Sequence, residues 1–447
     1  METKVIYKNV FYTFLTQIPS QILLFFTGIF ITRLLGPEGK GVYAIFAANI
    51  ELFVLFLGIN IAFALSYFIA SKKISINKLL GISIFILIIG SVLAFIFICF
   101  IPHTPLKSLL IPKGYYSSFF RYYLLISAIM RMGINIFNGF FQGKKMFKRI
   151  NQIILFNSIL NLLLFGGLYL LDIHNVLSSS IEIIFALTLF ILFLNLGLWV
   201  YFFIRYIGCK PEFAFGFRQD IKPFFSYLSQ GYLSVLINFF NYRLDIWIIN
   251  YYCKNEEVGF YSLAVGLVNM IMIITTSITI VLKPYLTSNT EDIRRFYLKV
   301  FSRLNFTVIM LICVVLFAIA HFIIPLLYGV EFSKSVLPLK LLLPGVLFMC
   351  LNKIFAIYFV SKGIVKYNLY ATIIGLVFTI ILDLTLIPEY GIIGAGIASS
   401  LAYFSILLYL SYAFYIKCKV PFDNYYIFFR RDISILKNIL HAGNKHD

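Results

Sequence analysis

Charged side chains stand inside several long apolar stretches of this sequence. They are costly in an apolar environment, so those that occur there commonly face a water-filled cavity or pair with one another. Arg131 and Lys353 are cations of the kind that binds phosphate or diphosphate groups. Glu51 and Asp245 are carboxylates that could hold a coupling cation or balance the basic groups, whereas Asp383, near the end of its stretch, is assigned a structural role. The sequence therefore predicts an anion-binding cavity, with buried ion pairing as the alternative.

Amide side chains recur at helical spacing in the same stretches, so each set lies on one face of a helix. The candidate cavity residues of this type are Gln17, Gln21, Asn135, Gln230, Asn238 and Asn241. One interpretation is a hydrated cavity lined by these amides. The alternative is that the amides form hydrogen bonds that hold neighbouring helices together.

The sequence offers no candidate for catalysis or for a metal site. The cysteines occur singly, without the spacing of a zinc site, a redox dithiol or a disulfide framework. No paired carboxylates lie where a glycosyl transfer at a membrane boundary would need them. We therefore expect no catalytic residue, no metal and no cofactor.

The elements that carry these residues are membrane helices. Apolar residues make up 61% of the chain and charged residues 12%, and the mean hydropathy is +0.94. An ordinary soluble domain has about 25% charged residues, and each apolar stretch is long enough to cross a bilayer. The predicted spans are 10–34, 42–70, 79–101, 118–141, 152–171, 177–204, 223–252, 258–284, 303–328, 336–361, 368–387 and 392–416.

The basic residues are distributed as in a multi-pass membrane protein. The net charge is +19, but the basic residues lie in short loops between spans, which argues against nucleic acid as a partner. If the N-terminus is inside, 26 of the 37 Lys and Arg residues lie on the inner side and 8 on the outer side. Because positive charge favours the cytoplasmic side, both termini are predicted to be cytoplasmic.

The two halves of the chain resemble each other. The segment 14–17 (FLTQ) matches 227–230 (YLSQ), and 41–44 (GVYA) matches 259–262 (GFYS). Under this repeat Arg131 and Lys353 fall within about one helical turn of each other. Parallel repeats are common in carriers that bind substrate between two lobes. The repeat therefore favours the cavity interpretation of the amide stripes. For Arg131 and Lys353 the alternatives are that both face this cavity or that they pair with Glu51 or Asp245.

Three loops carry a resemblance to a known family. They are 35–43 (LGPEGKGVY), 243–246 (RLDI) followed by 257–262 (EVGFYS), and 390–398 (YGIIGAGIA). In this order they resemble the polysaccharide transporter family of Wzx-type flippases, which belongs to the multidrug/oligosaccharidyl-lipid/polysaccharide (MOP) superfamily. The resemblance extends over nearly the whole chain.

The resemblance implies an all-α polytopic membrane protein of about twelve helices, in two pseudo-symmetric six-helix lobes around a central cavity, as in multidrug antiporters (MATE). The implied function is to flip undecaprenyl-diphosphate-linked oligosaccharide from the inner to the outer leaflet of the bacterial cytoplasmic membrane by alternating access. This would serve O-antigen or capsule synthesis, with H+ or Na+ as a coupling ion. The implied partners are the lipid-linked substrate, membrane lipid, and the polymerase and chain-length proteins of the same pathway.

Two other functions remain open. A cation-coupled multidrug antiporter of the same superfamily would have a cavity dominated by carboxylates and aromatic rings. A membrane polysaccharide polymerase or ligase would need a sizeable extracytoplasmic loop, whereas the largest outer loop here, 102–117, contains no carboxylate.

The domain organisation follows from the repeat. The N-terminal lobe is predicted to span residues 1–205, and the cytoplasmic linker between the lobes residues 206–222. The C-terminal lobe is predicted to span residues 223–417, and a cytoplasmic tail residues 418–447.

Overall fold

A computed structural model shows an all-helical chain. The structure describes residues 2–176, 180–213, 216, 221–288 and 290–418, and these contain no β-strand. The predicted tail lies almost wholly outside the described residues, as does part of the predicted linker. The α-helices in chain order are α1 (Glu2–Gly58), α2 (Ile61–Ser71), α3 (Ile76–Phe100), α4 (Lys107–Leu110), α5 (Ser118–Gly143), α6 (Phe147–Ile173), α7 (Ile181–Tyr206), α8 (Lys222–Tyr252), α9 (Asn255–Ser288), α10 (Glu291–Tyr328), α11 (Val336–Ser361) and α12 (Lys366–Cys418).

The number of membrane crossings agrees with the predicted twelve. Within the described part of the chain, nine helical segments are long and apolar enough to cross a membrane. Two of them, Ile18–Gly58 and Lys366–Ile416, have 41 and 51 residues. At about 1.5 Å per residue each is long enough to cross a hydrocarbon layer of about 30 Å twice. Counting these two segments twice and adding α8, which covers the seventh predicted span, gives twelve crossings.

Two glycines bend the longest helices. Gly36 interrupts α1 with a φ of 61°, and Gly391 interrupts α12 with a φ of 55°. Residues that have a Cβ atom rarely adopt such angles, whereas glycine does so without steric cost. Both glycines belong to the loop motifs that carry the family resemblance. They join consecutive predicted spans, the first with the second and the eleventh with the twelfth.

The second predicted span is not one continuous helix. It was expected over 42–70, but the helical backbone breaks at Ile59 and Asn60, each with a φ of 48°. The first part of this span belongs to α1 and the remainder is α2. Neither residue is glycine or proline, so the sequence contains no strong signal for this break.

The exposed surface of the spanning helices suits lipid rather than water. The most apolar 18-residue stretch of Ile76–His103 has a mean hydropathy of 3.2, and only 28% of that stretch is buried. Ile88, Val92 and Phe95 of α3 are each more than half exposed. Exposed apolar area of this extent is unfavourable in water and favourable in hydrocarbon. The chain is therefore a multi-pass membrane protein.

The chain divides into two compact units. The first comprises Met1–Phe239, Ile246–Gly259 and Leu327–Glu331, and the second comprises the remaining residues. In the first unit, Phe140, Phe141 and other buried apolar residues of α2, α3, α5, α6, α7 and α8 form a core cluster. In the second unit, buried apolar residues of α9, α10, α11 and α12 form another core cluster. The predicted lobe boundaries stay a prediction.

Two glycines from the repeated motifs pack against each other within the first unit. A Cβ atom added to Gly41 would lie 1.8 Å from the backbone oxygen of Asn255. A Cβ atom added to Gly259 would lie 2.0 Å from the backbone oxygen of Pro37. Because the obstructing atoms belong to the backbone, only glycine fits at either position. The matching motifs of the repeat thus form one close backbone contact.

Candidate functional site

A polar cavity of about 480 Å³ lies inside the first unit. Its walls come from α1, α5, α6, α7 and α8. Glu51 of α1 and Arg131 of α5 line it, and they are the charged members of its lining. The structure therefore brings together a predicted cavity cation and a predicted charge-balancing carboxylate.

Asparagine side chains supply most of the remaining polarity. The five that line the cavity are Asn60, Asn135, Asn157, Asn161 and Asn195. The side-chain oxygens of Asn157 and Asn195 are buried and have no hydrogen-bond partner within the described residues. An unpaired buried amide oxygen costs free energy, so a donor is expected there when the cavity is filled. Sequence analysis predicted Asn135 and missed the other four.

Hydroxyl groups and aromatic rings complete the wall. Thr188 of α7 donates to the carbonyl of Ile184 at 2.9 Å and lines the cavity with Tyr43 and Tyr123. The ring of Tyr43 packs edge-on against Phe185, with 5.7 Å between the ring centroids. This aromatic packing fixes the α1 and α7 sides of the cavity.

Other predicted residues of the first unit lie outside this cavity. Gln21 is exposed on α1. Asn238 is partly buried, and its amide donates to the carbonyl of Ser234 in its own helix at 2.9 Å. The side chains of Gln17 and Gln230 lie outside the described part of the structure, so their predicted role stays a prediction.

Lys353 and Asn241, both predicted to line the cavity, lie in the second unit. The ammonium group of Lys353 donates to the hydroxyl of Thr276 at 3.2 Å. Asn241 is buried, and its amide donates to the carbonyl of Thr372 on α12 at 3.0 Å. Asn241 therefore forms a hydrogen bond between two helices, which was the alternative interpretation of the predicted amide residues. That Lys353 and Arg131 face one cavity stays a prediction.

Two buried carboxylates lie close together in the second unit. Asp245 is 6% exposed, and its carboxylate accepts a hydrogen bond from the hydroxyl of Tyr261 at 2.5 Å. That hydroxyl also lies 3.1 Å from the hydroxyl of Ser399. Asp383 is fully buried, and neither of its carboxylate oxygens has a hydrogen-bond partner among the described residues. The two carboxylates interact electrostatically, so a proton or a small cation would relieve their repulsion.

Buried amides elsewhere in the first unit have a structural role. Asn49 accepts a hydrogen bond from the indole of Trp247 at 2.8 Å and donates to the carbonyl of Leu110. Asn250, fully buried, donates to the carbonyl of Leu109 at 2.8 Å. These bonds attach the loop between α3 and α5 to α1 and α8. Among the described residues, no group of three or more His, Cys, Asp or Glu side chains could hold a metal ion.

Solved structures share this fold. The lipid II flippase MurJ in an inward closed conformation is 17% identical, with a TM-score of 0.69 over 91% of this chain and 89% of that chain. A multidrug resistance MATE transporter of the MOP superfamily, in its inward-facing conformation, is 14% identical, with a TM-score of 0.70 over 90% of this chain and 95% of that one. The Vibrio cholerae MATE transporter VcmN in the bent form is 14% identical, with a TM-score of 0.57 over 92% and 97%. At such identities the likeness shows the fold alone.

Sequence comparison shows the family. No curated protein matches the chain. A family profile described as polysaccharide biosynthesis protein matches residues 6–290, which is more than half of the sequence. The similar structures above are transporters and flippases rather than enzymes. The chain therefore belongs to the polysaccharide biosynthesis protein family.

Proposed function

We propose that the protein flips undecaprenyl-diphosphate-linked oligosaccharide units from the inner to the outer leaflet of the bacterial cytoplasmic membrane. The proposed route is alternating access, and the product would feed O-antigen or capsule synthesis. Membership of the polysaccharide biosynthesis protein family supports the pathway. The fold, which resembles that of a lipid II flippase, supports the type of transport.

The observation that carries the proposal is the polar cavity of the first unit. A lipid-linked sugar crosses the membrane only if its polar head group leaves water, and this costs several kcal/mol for each unsatisfied polar group. The cavity provides amides, hydroxyls and one cation within helices that span the membrane. At about 480 Å³ it lies within the range of about 300–1,000 Å³ that is usual for small-molecule sites.

The lining favours this function over a multidrug antiporter. A cation-coupled multidrug antiporter was expected to have a cavity dominated by carboxylates and aromatic rings. The lining of this cavity instead contains five asparagines and the single carboxylate of Glu51. The polymerase or ligase alternative lacks support, because the loop between α3 and α5 is occupied by contacts with α1 and α8.

Asp245, with Asp383 beside it, is proposed to couple transport to an ion gradient of H+ or Na+. Both termini are proposed to be cytoplasmic, in agreement with the distribution of basic residues. The polymerase and chain-length proteins of the same pathway are the proposed protein partners.

Sealed vesicles of known orientation test the function directly. They are prepared from cells that lack the protein, with and without the restored gene, and probed with an impermeant sugar-binding protein. We expect lipid-linked oligosaccharide to accumulate on the cytoplasmic leaflet without the protein and to reach the other leaflet after restoration. An unchanged distribution between the leaflets would reject the flippase function and favour drug-efflux assays with the same strain.

A further inference from the structure

We propose that the cavity of the first unit binds an uncharged sugar residue of the transported lipid, and not its diphosphate. This inference rests on the proposed flippase function and assigns one part of the substrate to one set of side chains. It departs from the prediction that the cavity of Arg131 is a site for an anion.

The charges of the lining argue against a diphosphate. Arg131 carries one positive charge and Glu51 one negative charge, so the lining is formally neutral. A diphosphate diester carries two negative charges, and in a site of low dielectric the carboxylate of Glu51 would repel them. Strong binding of diphosphate requires several cations or backbone N–H groups directed at its oxygens. An uncharged ligand has neither requirement.

The hydrogen-bond chemistry of the amides points the same way. Each asparagine offers an oxygen that accepts and an NH2 group that donates. A sugar hydroxyl can do both, whereas the oxygens of an ionised diphosphate diester only accept. The unpaired oxygens of Asn157 and Asn195 therefore need a donor, which a sugar supplies and a diphosphate does not.

The distribution of amides over the wall also suits a ring with hydroxyls around its edge. Asn157 belongs to α6, Asn195 to α7 and Asn135 to α5, so donors and acceptors approach from three helices. Tyr43 and Phe239 add aromatic surface on which the C–H groups of a sugar ring can pack. A ligand with polar groups around its edge and less polar faces satisfies both kinds of wall.

Calorimetric titration of the purified full-length protein in detergent separates the two assignments. One probe is the oligosaccharide released from the strain's own lipid-linked precursors by mild acid, which carries neither lipid nor diphosphate. The other probe is undecaprenyl diphosphate without sugar. The test variants are Asn157→Leu, Asn195→Leu and the double variant, since leucine is close to asparagine in size and removes only polar groups. Asn77→Leu, at an exposed position of α3, is the matched control.

We expect the double variant to lose at least tenfold in affinity for the oligosaccharide and to bind undecaprenyl diphosphate within twofold of the unchanged protein. Asn77→Leu should leave both affinities unchanged. The opposite pattern, with the oligosaccharide retained and undecaprenyl diphosphate lost, would overturn the proposal.

A second variant keeps the proposal falsifiable if the leucine variants fail to fold. Arg131→Gln should leave the affinity for undecaprenyl diphosphate within twofold, because this cavity does not hold that group. A tenfold loss would make the cavity a diphosphate site and reject the inference. The vesicle assay distinguishes this failure from failure of the flippase function. Transport without oligosaccharide binding rejects only the sugar site, and oligosaccharide binding without transport rejects only the flippase.

Discussion

Asp383 shows how much the role of one residue depends on its surroundings. A structural carboxylate in a membrane helix is normally hydrogen-bonded or paired, yet both oxygens of Asp383 lack a hydrogen-bond partner in the described part of the chain. Its charge acts on Asp245, and both carboxylates and Arg243 act on Tyr403. A proton or a monovalent cation would relieve the repulsion between the two carboxylates.

This arrangement gives a prediction for the carboxylates. Asp245→Asn and Asp383→Asn should each lower transport about tenfold when a gradient of the coupling ion is imposed on sealed vesicles, because the amide neither binds a cation nor exchanges a proton. Affinity for the released oligosaccharide should stay unchanged. Asp292→Asn, an exposed carboxylate of the same unit, is the control. Full gradient-driven transport by both variants would show that coupling lies elsewhere.

The cavity asparagines illustrate which residues can be recognised from sequence. Arg131 and Asn135 stand four residues apart on α5, and this spacing was sufficient to predict them. Asn157 and Asn161 have the same spacing on α6, so that stripe was a usable signal that sequence analysis passed over. Asn195 has no second amide residue three or four positions away on α7. Its place in the cavity depends on the packing of α7 against its neighbours, and sequence periodicity does not report that packing.

At the scale of elements, glycines decide where helices bend and how closely they approach. Gly36 and Gly391 supply positive φ angles inside α1 and α12. Gly41 and Gly259 instead permit a backbone contact that any side chain would block. The sequence motifs around these glycines look alike, but their physical functions differ.

Alanine substitution tests the close contact. Gly41→Ala should destabilise the protein by at least about 1–3 kcal/mol, because the added methyl group overlaps backbone atoms that no side-chain movement can clear. Gly167→Ala in α6 is the matched control, since nothing lies within 4 Å of its added Cβ atom. Alanine is also the better helix former, by about 1 kcal/mol.

The measurement is the apparent Tm in detergent, followed by size-exclusion chromatography after heating. We expect a fall of several degrees for Gly41→Ala and no fall for Gly167→Ala. Equal melting temperatures for the two variants would contradict the contact between the repeated motifs.

At the scale of the whole molecule, the distribution of basic residues predicts the orientation. The loop around Lys107 should face the periplasm, and the loop around Lys144 should face the cytoplasm. Both residues are exposed, so cysteines in their places would be accessible to reagents in water.

Labelling in intact cells checks the orientation. In a background without the six native cysteines, Lys107→Cys should react with a membrane-impermeant maleimide in whole cells, and Lys144→Cys only after the cells are opened. The cysteine-free protein is the control for nonspecific labelling. The reverse pattern would place both termini outside and contradict the proposed direction of transport.

The sequence by itself determined the class, the crossings, the family and the polar stripes of this protein. These are properties of composition and local periodicity, because a segment in hydrocarbon must satisfy its own backbone hydrogen bonds as a helix. Only the tertiary structure decided that Asn241 forms a hydrogen bond to α12, whereas Asn157 and Asn195 line a cavity with Arg131. It also decided that Asp383 lies beside Asp245. An amide on a helix face has the same sequence signature whether it meets a backbone carbonyl or an open space. The distinction arises from the packing of helices that are distant in the chain, and no single segment encodes it.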